Sequence, residues 1–236
     1  MRILLVGYGK MGKTIEDAAI KKGHVIAGKI HPNAGLSFDF TTEVDAAIEF
    51  SMPDSAVNNI KLCLDHTIPV VCGTTGWLNH KKEVDDYCRS KNGTFFYASN
   101  YSMGVNIFFK LNEQLAKMMQ RKDSYDLRID EIHHTQKKDA PSGTAITLAE
   151  GILKNIDWKK QWVKEESISG SDIVIGSHRE DPAPGTHTIT YTSRIDDIEI
   201  KHTAHSREGF AKGAVEVAEW IIHQKGVLGM DDFLKF

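Results

Sequence analysis

Ile3-Leu4-Leu5-Val6-Gly7-Tyr8-Gly9-Lys10-Met11-Gly12 is the stretch that decides the fold. Four consecutive apolar residues read as a buried strand, which runs into G-x-G-x-x-G with a helical pattern over Met11–Lys22 behind it. In this arrangement Gly7 permits the tight turn and Gly12 lets helix and strand pack closely. Gly9 lets the backbone approach a pyrophosphate that a Cβ would obstruct. The helix start offers free N–H groups and a partial positive charge to the phosphates. Gly7, Tyr8, Gly9, Lys10, Met11 and Gly12 are therefore the expected contacts to a dinucleotide.

The same alternation continues outward. Strands are expected at Val25–Ile30, Ala46–Phe50, Ile68–Cys72 and Thr94–Ala98, with helices between them: one capped by Asp54, one over Asn79–Ser90. Repeated strand–helix units predict a Rossmann-type, doubly wound parallel sheet. Ligands bind such sheets at the carboxyl ends of the strands. Gly73, Thr74 and Thr75 follow the fourth strand, and Ala98, Ser99, Asn100 and Tyr101 the fifth, so both groups are candidate cofactor contacts. The acidic residue that would hold the ribose of NAD is missing, because the second strand ends Lys29-Ile30-His31 and nothing acidic follows until Asp39. Lys29 and His31 are candidates to face a 2′-phosphate instead, so either NADH or NADPH is expected.

After helix Val105–Met119 the texture changes. Leu127–His133, Ile173–Ser177, Thr186–Thr192 and Ile198–His202 read as strands, the last two with period-2 alternation. This predicts a second, α+β substrate and oligomerisation domain with a mixed or antiparallel sheet. A final helix, Gly209–Gln224, is expected to return to the first domain. The expected boundaries are 1–103 with 208–236, and 104–207.

Composition narrows the function. With 29 basic against 32 acidic residues and a net charge of −3, no basic excess points to nucleic acid. The three cysteines form no CxxC pair, which argues against a disulfide framework or a cysteine zinc site. No apolar run approaches a membrane span, and the apolar start Ile3–Val6 is too short for a signal core; the cytoplasm is the expected compartment.

The chemistry concentrates in Glu131-Ile132-His133-His134-Thr135-Gln136-Lys137-Lys138-Asp139-Ala140-Pro141-Ser142-Gly143-Thr144-Ala145. Reducing a C=C or C=N bond requires hydride at one end and a proton at the other, and a histidine or lysine supplies protons near pH 7. Ser142 is placed to cap a helix whose first N–H groups would grip a carboxylate. Adjacent strand residues point to opposite faces, so His133 and His134 are not expected to share a metal ion.

This segment resembles the 4-hydroxy-tetrahydrodipicolinate reductase (dihydrodipicolinate reductase) family, whose E-x-H-H-x-x-K-x-D-A-P-S-G-T-A it matches at every fixed position. The likeness extends to the glycine motif, Gly73-Thr74-Thr75-Gly76, Asn100–Asn106 and Phe210-Ala211-x-Gly213-Ala214. It implies reduction of a small cyclic dicarboxylate by NADH or NADPH, in the lysine and diaminopimelate pathway, with loss of water. It implies His133 as proton donor or acceptor, Lys137 as a second donor, and His134, Gly143 and Thr144 as substrate contacts. Arg207 and Phe210 match nucleotide or hinge positions of relatives, and a homotetramer is expected. Family members often carry an acidic or basic residue at the end of the second strand, where this chain has Ile30 or His31.

Overall fold

The structure, a computed structural model, describes residues 1–31, 39–164, 169–206 and 208–236. It divides into two units, Met1–Met103 with Glu208–Phe236, and Gly104–Arg207. Arg207 itself lies outside the described residues.

The first unit contains β1 (Arg2–Val6), α1 (Lys10–Lys21), β2 (Val25–Ile30), β3 (Ala46–Glu49), α2 (Pro53–Asp65), β4 (Val70–Cys72), α3 (Lys81–Ser90) and β5 (Thr94–Tyr97). The returning chain adds α6 (Glu208–Ile221), β11 (Gly226–Leu228) and α7 (Met230–Leu234). The strands form one sheet in the order β11-β5-β4-β3-β1-β2, with every pairing parallel. The central strands β1, β3, β4 and β5 are buried on both faces, which is why they read as largely apolar runs, whereas the edge strands β2 and β11 are half-buried or exposed at most positions. Ile3, Leu5, Ile48, Val71 and Phe96 pack with residues of α1 and α6. Leu4, Val6, Ala47, Val70 and Phe95 pack on the opposite face with residues of α2 and α3. From β1 the chain goes to β2 on one side and then to β3 on the other, so the strand order reverses at β1. The crevice that binds ligands in open sheets lies at such a reversal.

The second unit holds most of α4 (Met103–Met119), then β6 (Asp126–His133), α5 (Gly143–Leu153), β7 (Gln161–Lys164), β8 (Asp172–Arg179), β9 (Gly185–Thr192) and β10 (Asp197–Ala204). Its sheet runs β10-β9-β6-β8-β7. β9 is antiparallel to both neighbours, whereas β6, β8 and β7 are mutually parallel, so the sheet is mixed. Leu127, Ile129, Ile173, Ile175, Ile189 and Tyr191 form its core with residues of α4 and α5.

Three details depart from the sequence reading. Asp54 does not cap α2; Met52 does, Pro53 opens the helix, and Asp54 sits in the first turn, where its charge suits the helix dipole. β7 escaped notice because its four residues are half-buried or exposed. β11 did so because three residues are too few to carry a period.

Candidate active site

The turn after β1 separates what the protein needs from what a ligand needs. Gly7 has φ 96°, and a Cβ there would run into the Phe50 carbonyl. A Cβ at Gly12 would run into the Gly7 carbonyl. Gly9 differs: among the described residues a Cβ there meets nothing within 4 Å. The protein's own packing thus does not require glycine at position 9, but an approaching phosphate does. Gly9 also caps α1 with no side-chain acceptor, and the first turn carries no acidic residue, so the helix start is open to an anion. These features fit a dinucleotide pyrophosphate. Lys10 is exposed, and Tyr8 and Met11 are half-buried.

The other loops at this sheet edge are tied to one another. Gly73 N–H donates to the Glu49 carbonyl at 2.9 Å, and a Cβ on Gly73 would strike the Phe50 ring. Thr74 is buried, and its hydroxyl accepts from Ser51 N–H at 2.8 Å. Thr75 and Ser99 are exposed, while Ala98 is buried. Asn100 accepts from Ser102 N–H at 2.9 Å. Tyr101 is fully buried, and its hydroxyl donates to the Cys72 carbonyl at 2.7 Å, so its side chain supports the loops from the core and leaves only its backbone for a ligand.

At the end of β2, His31 is exposed and its ring meets Tyr8 edge-on at 5.3 Å. Lys29, the other candidate to face a 2′-phosphate, already has an anionic partner. Its Nζ pairs with Glu16 Oε1 at 2.6 Å and lies 4.5 Å from the centre of the Tyr8 ring. Glu16 brings its own negative charge to the edge where a 2′-phosphate would need a positive one.

In the second unit, β6 delivers Glu131 and His133 to one face of its sheet, as the two-residue strand period requires. His133, the last residue of β6, is 7 % exposed. Its Nδ1 is buried with no hydrogen-bond partner among the described residues, 3.5 Å from Glu131 Oε2. Burial pushes the His133 pKa down to about 4; the Glu131 charge opposes this, while the charges of His187, Lys137 and Arg179 add to it. Glu131 is completely buried. Burial alone would raise its pKa, but the approach of His187 and hydrogen bonds from Ser142 and Ser177 outweigh that and hold it at about 2. Ser142 N–H reaches both Glu131 oxygens at 3.1 Å, and the Ser177 hydroxyl donates to Oε1 at 2.9 Å.

Ser142 is also the cap of α5, its hydroxyl accepting from Ala145 N–H at 3.2 Å and meeting His187 Nε2 at 3.1 Å. A cap of this kind contributes about 1 kcal/mol. No acidic residue occupies the first turn, and a Cβ on Gly143 would meet nothing within 4 Å, which leaves the helix start at Gly143 and Thr144 open to a carboxylate. Lys137 Nζ is gripped by Asp139 at 2.7 and 2.8 Å. Arg179 holds this loop by donating to the Lys137 and Asp139 carbonyls. After β6 the His134 N–H donates to the Ala183 carbonyl at 2.8 Å.

The histidine beside His133 is therefore His187, edge-on at 5.1 Å, and not His134. Glu131, His133 and His187 bring one nitrogen or oxygen each within 4.8 Å of one another. Sequence reasoning gave no role to Glu131, Ser177, Arg179 or His187. The spacing of Glu131 two residues before His133 was a usable signal; β8 and β9 reach the cluster only through pairing in the sheet.

Comparison with known proteins bears on both units. Residues 1–101 match the family model described as dihydrodipicolinate reductase, N-terminus, and residues 104–234 match the C-terminus of the same family. A 4-hydroxy-tetrahydrodipicolinate reductase of Christiangramia forsetii is 49% identical over 237 residues, covering 99% of this chain and 98% of the relative. One from Methanosarcina acetivorans is 39% identical, covering 82% and 74%. Among solved structures, the dipicolinate-bound dihydrodipicolinate reductase of Paenisporosarcina sp. TG-14 superposes with TM-score 0.75 at 20% identity, covering 97% of each chain. An amine dehydrogenase from Mycobacterium smegmatis gives 0.63 at 12% identity, covering 97% and 94%. These last two establish the fold alone. An open dinucleotide cradle, a buried histidine–carboxylate cluster beside an open helix start, and family matches spanning nearly all residues agree: the chain belongs to the dihydrodipicolinate reductase family.

Proposed function

We propose that this chain reduces 4-hydroxy-tetrahydrodipicolinate to tetrahydrodipicolinate, with loss of water, and that His133 and Lys137 carry its protons. It is an NAD(P)H-dependent oxidoreductase of lysine and diaminopimelate synthesis. The observation that carries the residue assignment is the buried His133 with a fixed carboxylate at 3.5 Å, in a cluster bonded through Ser142 to a helix start left open at Gly143.

The open start of α5 at Gly143 and Thr144, with His134, would hold a substrate carboxylate. Gly7 to Gly12, Gly73 to Thr75, Ala98 to Tyr101 and His31 would hold the nucleotide. Bound NAD(P)H supplies the hydride. Loss of water takes one proton from carbon and gives one to the departing oxygen; the reduction then adds a proton beside the hydride. With its pKa at about 4, His133 is a neutral imidazole at pH 7 and is set to accept a proton before it donates one. His133 thus takes the carbon proton and returns it after reduction, while the Lys137 ammonium protonates the leaving oxygen. Asp139 orients that ammonium. The cluster works without a metal in this reading, because Glu131 is already the shared acceptor for Ser142 and Ser177.

The reading includes a homotetramer in the cytoplasm, with neither nucleic acid nor membrane as partner. Ile107, Leu111 and Met118 lie exposed along one side of α4 and are apolar surface that assembly would cover. No described helix is long and apolar enough to cross a membrane. The test is an assay with freshly prepared substrate, run separately with NADH and NADPH, on wild type and His133→Gln. The variant should lose about a thousandfold in kcat with little change in KM, as expected of a group acting in the transition state. Full kcat in the variant would remove His133 from the mechanism.

A further inference from the structure

The two nitrogens of a neutral imidazole have opposite roles, and the partner of one fixes the role of the other. At His133 the sealed nitrogen is Nδ1, and the Glu131 carboxylate faces it with Oε2 at 3.5 Å. That carboxylate has little freedom. Its oxygens accept from Ser142 N–H and from the Ser177 hydroxyl, and Arg179 Nη1 lies 3.8 Å from Oε1. His187 Nε2 stands 3.6 Å from the same Oε2 that faces His133. The opposite edge of the His133 ring lies against Gly185, where a Cβ would come within 3.1 Å of Nε2. Glycine at that position keeps the Nε2 edge unobstructed.

We propose that Glu131 is the positioning residue of the site: its carboxylate holds the proton of His133 on Nδ1 and so leaves the Nε2 lone pair as the one that exchanges a proton with substrate. The 3.5 Å separation is longer than a good N–H···O bond and closes by about half an ångström when the site tightens around its ligand. The carboxylate stays charged through this, because hydrogen bonds outweigh its burial and hold its pKa at about 2. Glu131 touches neither substrate nor cofactor in this account. His187 and Ser142 complete the support: the ring and the hydroxyl meet at 3.1 Å and link the carboxylate to the cap of α5. One buried charge therefore orients both the proton carrier and the helix start that grips the substrate carboxylate. The inference rests on the proton-carrying role given to His133 above.

The experiment is nitrogen-15 NMR of histidine-labelled enzyme, with steady-state kinetics of Glu131→Gln, Glu131→Asp and His187→Gln. In wild type near pH 7, His133 should show a protonated Nδ1 and an unprotonated Nε2. Glu131→Gln should mix the two tautomers and lower kcat by about a hundredfold, with KM for substrate and for NAD(P)H changed less than about threefold. Glu131→Asp, which keeps the charge, should recover the Nδ1–H form and part of kcat. His187→Gln should keep that tautomer and lose about tenfold in kcat, through looser support of the carboxylate. A wild-type His133 protonated on Nε2 overturns the proposal without need of any variant, so a Glu131→Gln protein that fails to fold leaves it decided. A folded Glu131→Gln with an unchanged tautomer overturns it too, as does a loss expressed only in KM or stability. Failure of the underlying role is read separately, as full kcat in His133→Gln.

Discussion

The turn after β1 and the cluster after β6 are built by opposite means. The first recognises with backbone: three glycines within six residues, two demanded by contacts with the Phe50 and Gly7 carbonyls and one left over for a ligand. The second works with side-chain charge drawn from β6, β8, β9 and the start of α5, centred on a carboxylate that water does not reach. A backbone cradle binds ground state and transition state alike, so damage to it should appear in cofactor affinity. A buried charge network set around a proton carrier should appear in turnover.

The largest test of this contrast is Lys137→Met, which should cut kcat/KM by about a thousandfold while NAD(P)H binding, followed by fluorescence titration, stays within about twofold. Equal damage to both would break the division. Next comes a pair in the cradle. Gly9→Ala should weaken NAD(P)H by about tenfold and cost no more than about 1 kcal/mol of stability, the scale of a lost cap, since its Cβ meets no described atom within 4 Å. Gly7→Val should lower stability by several kcal/mol, on the order expected for a positive φ combined with a backbone clash. If both variants are equally stable, the distinction between protein-required and ligand-required glycines fails.

The cluster should also betray itself in acid. The His133 pKa falls from 6.5 to about 4 on folding, so only the unfolded chain takes up this proton as pH drops through 6.5. Stability is therefore lost between pH 6.5 and 4, by about 3 kcal/mol. Glu131, lowered from 4.5 to about 2, contributes stability that is present above 4.5 and lost as pH falls towards 2. Denaturant melts of wild type and His133→Gln should differ in the upper window and run parallel in the lower one. The smallest effect belongs to Glu16→Gln. Releasing Lys29 from its partner should shift the NADPH/NADH ratio of kcat/KM towards NADPH by about threefold, the scale of an exposed ion pair.

Legibility followed the same division. The cradle and the doubly wound sheet were readable because their signals are local: Ile3–Val6 against Gly7, and the repeat of strand and helix. Ser142 as the cap of α5 was readable for the same reason, because the cap and the helix it starts are adjacent in the chain. His187 was not, because nothing near it in the chain distinguishes a buried strand histidine from its threonine neighbours; it joins the cluster through the register that sets it opposite Glu131. The ion pair that Lys29 makes was not readable, because its partner, Glu16, approaches from α1 and not from the strand. Tyr101 looked like a loop residue and proved to be core, its ring packed between Phe50 and Phe96.

The first unit is interrupted: the chain leaves it at Met103 and comes back at Glu208 to supply α6, β11 and α7. On the ribosome, the nucleotide-binding half is therefore born unfinished. Its sheet keeps the part of an apolar face that α1 does not cover bare, including Phe96, until Trp220 and the rest of α6 emerge, while the inserted half is by then already complete in sequence. Synthesis order thus makes the half that is written first the last to close, and the nascent chain is most vulnerable to aggregation in that interval.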